Sequence, residues 1–227
     1  MIEHVYRRST QSASLSRVYI ATPDSEIEAV AKGFGAPVIM TSPDHVRATD
    51  RVAEAVSELL CDVVVNIQGD EPLIDPTALD LLCGAMEADP TLHCANLVNE
   101  FEREEDFQNP NQIKVVSTRS GDVLFMSRSP IPYGLDGQRP RLRQLGVIAF
   151  RRDFLAMFSA LTPTPLERAE SIDMLRAVEH GYRVQVVVSP FESFGVDTIE
   201  DLQAAEARLS NYPLGATPFG PREVGRR

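Results

Sequence analysis

The sequence predicts an α/β protein in which helices cover both faces of a largely parallel sheet. Short apolar runs such as Val38-Ile39-Met40 and Val63-Val64-Val65 alternate with longer segments whose apolar residues recur at helical spacing. The run at Val63 shows no polar alternation, which is typical of a strand buried on both faces. Capping residues and glycines fall at the boundaries between the two kinds of segment. Together these observations favour a parallel sheet built from repeated strand–helix units.

In the first half of the chain, strands and helices are predicted to alternate regularly. Ser25-x-x-Glu28 has the form of a capping box at a helix start, and Thr49 or Asp50 is the expected cap of the helix through Val52 and Leu60. The elements, in order, are a strand at 18–21, a helix from Ser25 to about Gly33, a strand at 38–40, a helix through Val52 and Leu60, a strand from Val63, and a helix over 76–88.

The second half departs from this rhythm. Lys114–Ser117 and Val123–Ser127 flank a turn that contains Gly121, which predicts a β-hairpin. We expect residues 112–150 to form an inserted β-rich region that serves as a dimer arm or a substrate cover. The remaining predicted elements are a strand over 145–150, a helix near Asp153, a helix opened by the capping box Thr164-Pro165-Leu166-Glu167, a strand over 182–188, and a helix from Thr198 to Ser210.

Length and composition fit one domain. At 227 residues, with 43% hydrophobic and 24% charged residues, the chain can bury a full core. We expect a single domain over residues 1–210 and a disordered tail over 211–227, because the tail is rich in proline, glycine and arginine.

The net charge and the use of cysteine limit the classes of binding partner and the cellular compartments that fit this chain. The net charge of −11 argues against nucleic acid as a partner, because no basic stripe offsets it. No apolar run approaches membrane-spanning length, and the first residues do not resemble a signal peptide. The chain's three cysteines, at positions 61, 83 and 94, form no close pairs. We therefore expect a cytoplasmic protein without a membrane partner.

Two acids, Asp70 and Asp197, stand at predicted strand-to-helix turns. In open α/β sheets, ligands bind just beyond the carboxyl ends of strands. A Mg²⁺ site for phosphoryl transfer needs only one or two protein carboxylates, since phosphates and water supply the other ligands. The alternative is that Asp70 is a turn residue and Asp197 a helix cap. From spacing alone, the alternative is the commoner case.

Five further residues invite a functional interpretation beside a structural one. Arg51 lies in the first turn of a helix, where a cation is unfavourable unless a phosphate or an acid is near. Glu167 and Glu170 share a helix face and could hold sugar hydroxyls, although the capping box already explains Glu167. Gln68 and Glu71 could equally be solvated turn residues.

From about Ile2 to Leu209 the chain resembles the 3-deoxy-manno-octulosonate (Kdo) cytidylyltransferases, because several motifs match in order and spacing. They are Asn66-Ile67-Gln68-Gly69-Asp70-Glu71-Pro72, Asn109-Pro110-Asn111 with Lys114-Val115-Val116, Phe125-Met126-Ser127-Arg128 with Ile131-Pro132, Pro165-Leu166-Glu167 with Glu170, and Gly195-Val196-Asp197-Thr198 with Glu200-Asp201-Leu202.

The resemblance implies a Rossmann-like nucleotidyltransferase fold with a mixed, mostly parallel sheet, working as a homodimer. It implies the reaction CTP + Kdo → CMP-Kdo + diphosphate, a step toward lipopolysaccharide and other cell-surface polysaccharides. Catalysis would consist of positioning and of charge neutralisation by Mg²⁺. Carried over by position, Asp70 and Asp197 are the implied catalytic residues and magnesium ligands.

The resemblance also implies which residues contact each substrate. Gln68, Glu167 and Glu170 are implied at the sugar acid. Gln144 stands where the family has a histidine near the sugar. The segment Thr49-Asp50-Arg51 falls where the family holds CTP.

Three departures from the family pattern bear on activity and substrate. The family begins with a strand and a basic loop that wraps the triphosphate, and the chain has no such segment at or after Met1. We expect that segment to lie upstream; a catalytically impaired dimeric homologue is the alternative. Arg47 and Ala48 replace small residues beside the nucleotide, and Gln144 replaces the histidine. A related sugar acid or another nucleotide therefore stays open, and a glycosyltransferase is a weaker third reading.

Overall fold

The computed structural model describes residues 1–135, 140–191, 193 and 195–210. Its helices are α1 (Ile2–Ser9), α2 (Ser25–Gly33), α3 (Ala48–Ala55), α4 (Pro76–Ala88), α5 (Glu104–Gln108), α6 (Arg152–Ala160), α7 (Pro165–Glu170), α8 (Met174–Glu179) and α9 (Ile199–Leu209). Its strands are β1 (Ile20–Thr22), β2 (Val38–Met40), β3 (Val63–Ile67), β4 (Cys94–Glu100), β5 (Lys114–Ser117), β6 (Val123–Ser127), β7 (Leu142–Arg151) and β8 (Val184–Val188). The predicted tail over 211–227 lies outside the described residues.

The mixed sheet expected from the sequence is confirmed. Strands β6-β5-β7-β4-β8 lie side by side, and β3 pairs with the second half of β7. Because β7 is antiparallel to β3, β4 and β5 while β8 is parallel to β4, the strands β3, β4, β5 and β8 share one direction. β6 and β7 run the opposite way. The pairing is therefore more antiparallel than the predicted βα repeat implies, since β7 lies among the co-directional strands.

Helices cover both faces of this sheet, as predicted. On one face, a cluster around Phe150, Phe154 and Phe158 joins β3, β4, β7 and β8 to α6 and α8. On the other, Leu79, Leu82 and Met86 of α4 pack against alternate residues of β4 and β7. The parallel pair β1–β2 forms a second, small sheet packed against α2. Among the described residues, no helix combines the length and the apolar character needed to cross a bilayer.

Two of the predicted helix caps are wrong. Asp24, not Ser25, caps α2, because its carboxylate accepts the N–H groups of Glu26 and Ile27 at 2.7 and 3.2 Å. The residue before α3 is Arg47, and its side chain forms no cap bond. The box at Thr164 is confirmed, and Thr198 caps α9 with Asp201 as its partner.

Candidate active site at the carboxyl end of β3

The turn that follows β3 is held in place by neighbouring backbone. Gln68 donates its N–H to the carbonyl of Gly146 on β7 at 2.9 Å, which continues the β3–β7 ladder by one residue. The carbonyl of Asp70 then accepts the N–H of Val196 at 2.9 Å. This second bond joins the turn to the segment that enters α9. It brings the two acids predicted from the sequence, Asp70 and Asp197, to the same place.

Both acids line a cavity of about 540 Å³ together with Gln68 and Gln144. Burial raises the pKa of Asp70 above its usual range, and the negative charge of Asp197 raises it further. A cation would relieve the cost of keeping two carboxylates charged at this position. Within the described ranges, no three His, Cys, Asp or Glu side chains form a metal-ligand group. Two carboxylates facing an open cavity suit Mg²⁺, which keeps water and phosphate ligands.

Glu71, considered above as a possible solvated turn residue, is instead 3% exposed. One carboxylate oxygen accepts the N–H of Gly146 at 2.9 Å, and the other accepts the hydroxyl of Ser193 at 2.7 Å. Burial raises the pKa of Glu71. Its two bonds connect the Asp70 turn both to β7 and to the chain that leads to Asp197. Glu71 therefore braces the pair of acids rather than facing water.

Gln68 and Gln144 lie near each other on the sheet. A Cβ at Gly146 would lie 3.0 Å from both Cδ and Oε1 of Gln68, so the side chain of Gln68 packs across this glycine. Gln144 is two residues before Gly146 on β7 and shares its face. Its amide donates to Oδ1 of Asn96 at 2.6 Å. Asn96 in turn donates to the carbonyls of residues 97, 145 and 147, each at 3.1 Å, which fixes its orientation.

The segment Thr49-Asp50-Arg51, predicted at the nucleotide, makes several contacts within the protein. Thr49 donates its hydroxyl to Asp173 at 2.5 Å. The guanidinium of Arg51 donates to the hydroxyl of Thr41 and to the carbonyls of residues 42 and 45. Asp50 lies 3.5 Å from Arg176 and lines a separate cavity of about 600 Å³. The residues of this turn that line the active-site cavity are 46–48.

The two glutamates predicted at the sugar acid are also engaged by protein groups. Both oxygens of Glu167, which is 2% exposed, accept bonds from Arg176 at 2.6 and 2.8 Å. Glu170 accepts the hydroxyl of Ser127 at 2.7 Å and the N–H of Arg128 at 2.9 Å. Arg128 itself lines the cavity, so Glu170 lies beside the site and Glu167 lies in the interior.

Three arginines line the cavity without having been predicted there as a group: Arg47, Arg128 and Arg143. Arg143 is held by Asn99 and Gln112, both at 2.9 Å, and by the carbonyl of Ser193 at 2.6 Å. Arg47 donates to Ser171 at 3.1 Å. They come from three separate parts of the chain, so no local spacing indicates them. The cavity thus combines a carboxylate pair with several cations, which suits an anionic substrate bound with a metal ion.

Comparisons with known proteins agree on one family. The family model described as cytidylyltransferase matches residues 1–188. A 3-deoxy-manno-octulosonate cytidylyltransferase of Solibacter usitatus is 43% identical over 89% of this chain and 81% of its own. The corresponding protein of Geobacter metallireducens is 38% identical over 94% and 89%. An 8-amino-3,8-dideoxy-manno-octulosonate cytidylyltransferase of Shewanella baltica is 40% identical over 92% and 88%.

One solved structure extends the agreement to the fold. A CMP:2-keto-3-deoxy-manno-octonic acid synthetase complexed with CTP superposes with a TM-score of 0.87 at 36% identity, covering 92% of this chain and 87% of that one. An inositol-1-phosphate CTP transferase from T. maritima, at 16% identity and a TM-score of 0.59, shares the fold alone.

Proposed function

Because this chain belongs to the 3-deoxy-manno-octulosonate cytidylyltransferase family, we propose that it transfers CMP from CTP to Kdo or a closely related sugar acid. The observation that carries the proposal is the meeting of Asp70 and Asp197 at one cavity beyond the end of β3. The anomeric hydroxyl oxygen of the sugar forms a bond to the α-phosphorus, the bond to diphosphate breaks, and the hydroxyl proton is released.

Asp70 and Asp197 are the residues that would hold Mg²⁺. The bound ion supplies charge neutralisation on the phosphates. Arg47 and Arg128 offer cations at the cavity for the phosphates or for the sugar carboxylate. Gln68 and Gln144 offer amides that can orient sugar hydroxyls. The role of the protein is then mainly to place two anions in line, which is the main requirement of phosphoryl-type transfer.

The protein acts as a homodimer in the cytoplasm. Support for a dimer comes from the inserted region, where Tyr133 and Leu135, two positions apart in the sequence, are 86% and 75% exposed. Exposed apolar side chains of this size are typical of contact surfaces. Sedimentation equilibrium of the purified protein distinguishes a dimer from a monomer, and Tyr133→Ser with Leu135→Ser should shift the distribution toward monomer.

The direct test is diphosphate release by the full-length protein with CTP and Mg²⁺, using Kdo, 8-amino-3,8-dideoxy-manno-octulosonate and sialic acid in parallel. We expect release with one of the two octulosonates. Absence of release with all three would contradict the proposal. In that case, a melting temperature unchanged by CTP and Mg²⁺ would identify a non-catalytic homologue, because a ligand of the native state raises it.

Gly146→Ala should weaken binding of the sugar acid. The added Cβ forces the side chain of Gln68 away from its position, since the two would lie 3.0 Å apart. We expect KM for the sugar acid to rise by about tenfold, because about one hydrogen bond to the sugar acid is lost. KM for CTP should stay within about twofold of the wild-type value. Steady-state kinetics measures both constants. Gly84→Ala on α4, where a Cβ meets nothing within 4 Å, is the matched control. Equal effects of the two changes would contradict the role of Gln68.

A further inference from the structure

Lys114, the first residue of β5, is a lysine with no exposed surface. Its ammonium donates three hydrogen bonds, to the backbone carbonyls of Asn109 at 2.7 Å, Gln112 at 2.7 Å and Arg128 at 2.6 Å. Three donors and three acceptors match, so the ammonium is fully satisfied by backbone. Its charge therefore serves to hold chain segments together.

The residues whose carbonyls Lys114 binds all line the active-site cavity, whereas Lys114 itself does not. Asn109 and Gln112 belong to the loop between α5 and β5, and Arg128 follows β6 directly. The side chain of Arg128 continues the connection, because it donates to the carbonyls of Pro110 at 3.1 Å and Glu170 at 2.7 Å. One buried cation thus joins the 109–112 loop to the end of β6 beneath the cavity wall.

The energetics argue against a role in general cohesion. Burying an ammonium is unfavourable until its hydrogen bonds offset the loss of hydration. Apolar side chains at such positions often give equal or greater stability. An apolar residue could not, however, satisfy three converging carbonyls, and the loop would have to move away from the strand end. What the lysine adds is a fixed position for the loop and for Arg128.

We propose that Lys114 is a positioning residue, which sets the shape of the substrate cavity by fixing the 109–112 loop and Arg128 without touching either substrate. This inference rests on the proposed cytidylyl transfer. The charged groups that act on the ammonium are Arg128 and Glu170, with opposite effects. Burial, and then the charge of Arg128, lower the pKa of Lys114.

Lys114→Met tests the proposal because it keeps the length of the side chain and removes all three donors. We expect kcat/KM to fall by about 10²-fold, as small misplacements of binding groups do. We expect backbone hydrogen exchange to accelerate in peptides covering 108–113 and 127–129, with little change in β3 and β4. Lys32→Met, the same change at a lysine whose side chain is 64% exposed on α2, is the control. Unchanged kcat/KM and unchanged exchange in a folded Lys114→Met protein would overturn the proposal.

If Lys114→Met does not fold, the proposal is tested by measuring activity and hydrogen exchange of the wild-type protein and of Lys114→Arg as a function of pH. As the pH rises through the lowered pKa of Lys114, the neutral amine has one hydrogen fewer than the three carbonyls require. Activity and exchange protection of the two peptides should therefore fall together in the wild-type protein. Lys114→Arg, which stays charged, should keep its own neutral-pH values into the alkaline range. The same alkaline loss in Lys114→Arg would overturn the proposal. If the wild-type protein releases no diphosphate, the proposed function fails, and the exchange data alone still test the positioning by Lys114.

Discussion

Asp70→Asn is expected to lower kcat by about 10³-fold, which is the scale reached when one preorganised charge-stabilising group is removed from a transition state. An amide is a weaker ligand for a hard cation than a carboxylate, and Asp70 and Asp197 are the two cavity-lining carboxylates that we propose as Mg²⁺ ligands. Diphosphate release at increasing Mg²⁺ concentrations measures the effect. Mn²⁺ binding followed by electron paramagnetic resonance reports the loss of the metal site directly.

The same change should not destabilise the metal-free protein. Since burial and the charge of Asp197 raise the pKa of Asp70, ionised Asp70 is a cost to the folded state that grows as the pH rises from the acid range to neutrality. The amide removes this cost, so the melting temperature at neutral pH should stay the same or rise. Asp153→Asn, at a side chain that is 99% exposed, is the control with equal charge change. Full activity of Asp70→Asn would exclude Asp70 as a metal ligand.

Arg176→Met is expected to lower the free energy of unfolding by about 3–5 kcal/mol, because it leaves a buried carboxylate without its cation. Arg176 donates two bonds to Glu167 and lies 3.5 Å from Asp50, and both members of the Glu167 pair are at most 3% exposed. Urea denaturation at neutral pH measures the loss. Arg168→Met, on the exposed side of α7, should change stability by less than about 0.5 kcal/mol.

The difference in the free energy of unfolding between the wild-type protein and Arg176→Met should become smaller as the pH falls. Burial alone would raise the pKa of Glu167, but the bonds from Arg176 and from the N–H of Thr164 outweigh it and leave the pKa below its usual range. A lowered pKa in the folded state contributes stability above the pKa of the unfolded chain, and that contribution disappears as the pH falls through the folded value. The gap between the wild-type protein and Arg176→Met should therefore shrink in acid. A gap that widens in acid would contradict the ion pair.

The part of the fold that the sequence predicts is the part with local signals. The hairpin β5–β6 and the helix α4 lie where turn residues and a proline at the helix start predict them. Strand β4 was missed, although it is central. It carries Asn96 and Asn99 at buried positions, and their amides are satisfied by neighbouring backbone, including the carbonyls of residues 145, 147 and 193. Partners so distant in the sequence cannot be inferred from the residue pattern of one strand, so the two asparagines gave no sign that β4 is a buried strand.

The prediction of the candidate site depended on local sequence signals in the same way. Asp70, Asp197 and Gln68 stand at strand or helix ends, where position along the chain already indicates an edge of the sheet. Thr49 shows the opposite case, since its hydroxyl donates to Asp173, a partner 124 residues away that no local spacing indicates. Glu167 on α7 likewise accepts a bond from Arg176 on α8, a partner that the spacing in the sequence does not indicate.

Phosphorus NMR of the full-length protein with CTP, Mg²⁺ and each octulosonate follows the transferred phosphorus itself. The prediction is that the α-phosphorus signal of CTP is replaced by a phosphodiester signal, with diphosphate appearing in equal amount. The conversion should require the divalent cation and disappear in Asp70→Asn. CTP that remains intact with both octulosonates, or conversion that proceeds equally in Asp70→Asn, would contradict cytidylyl transfer at the Asp70–Asp197 pair.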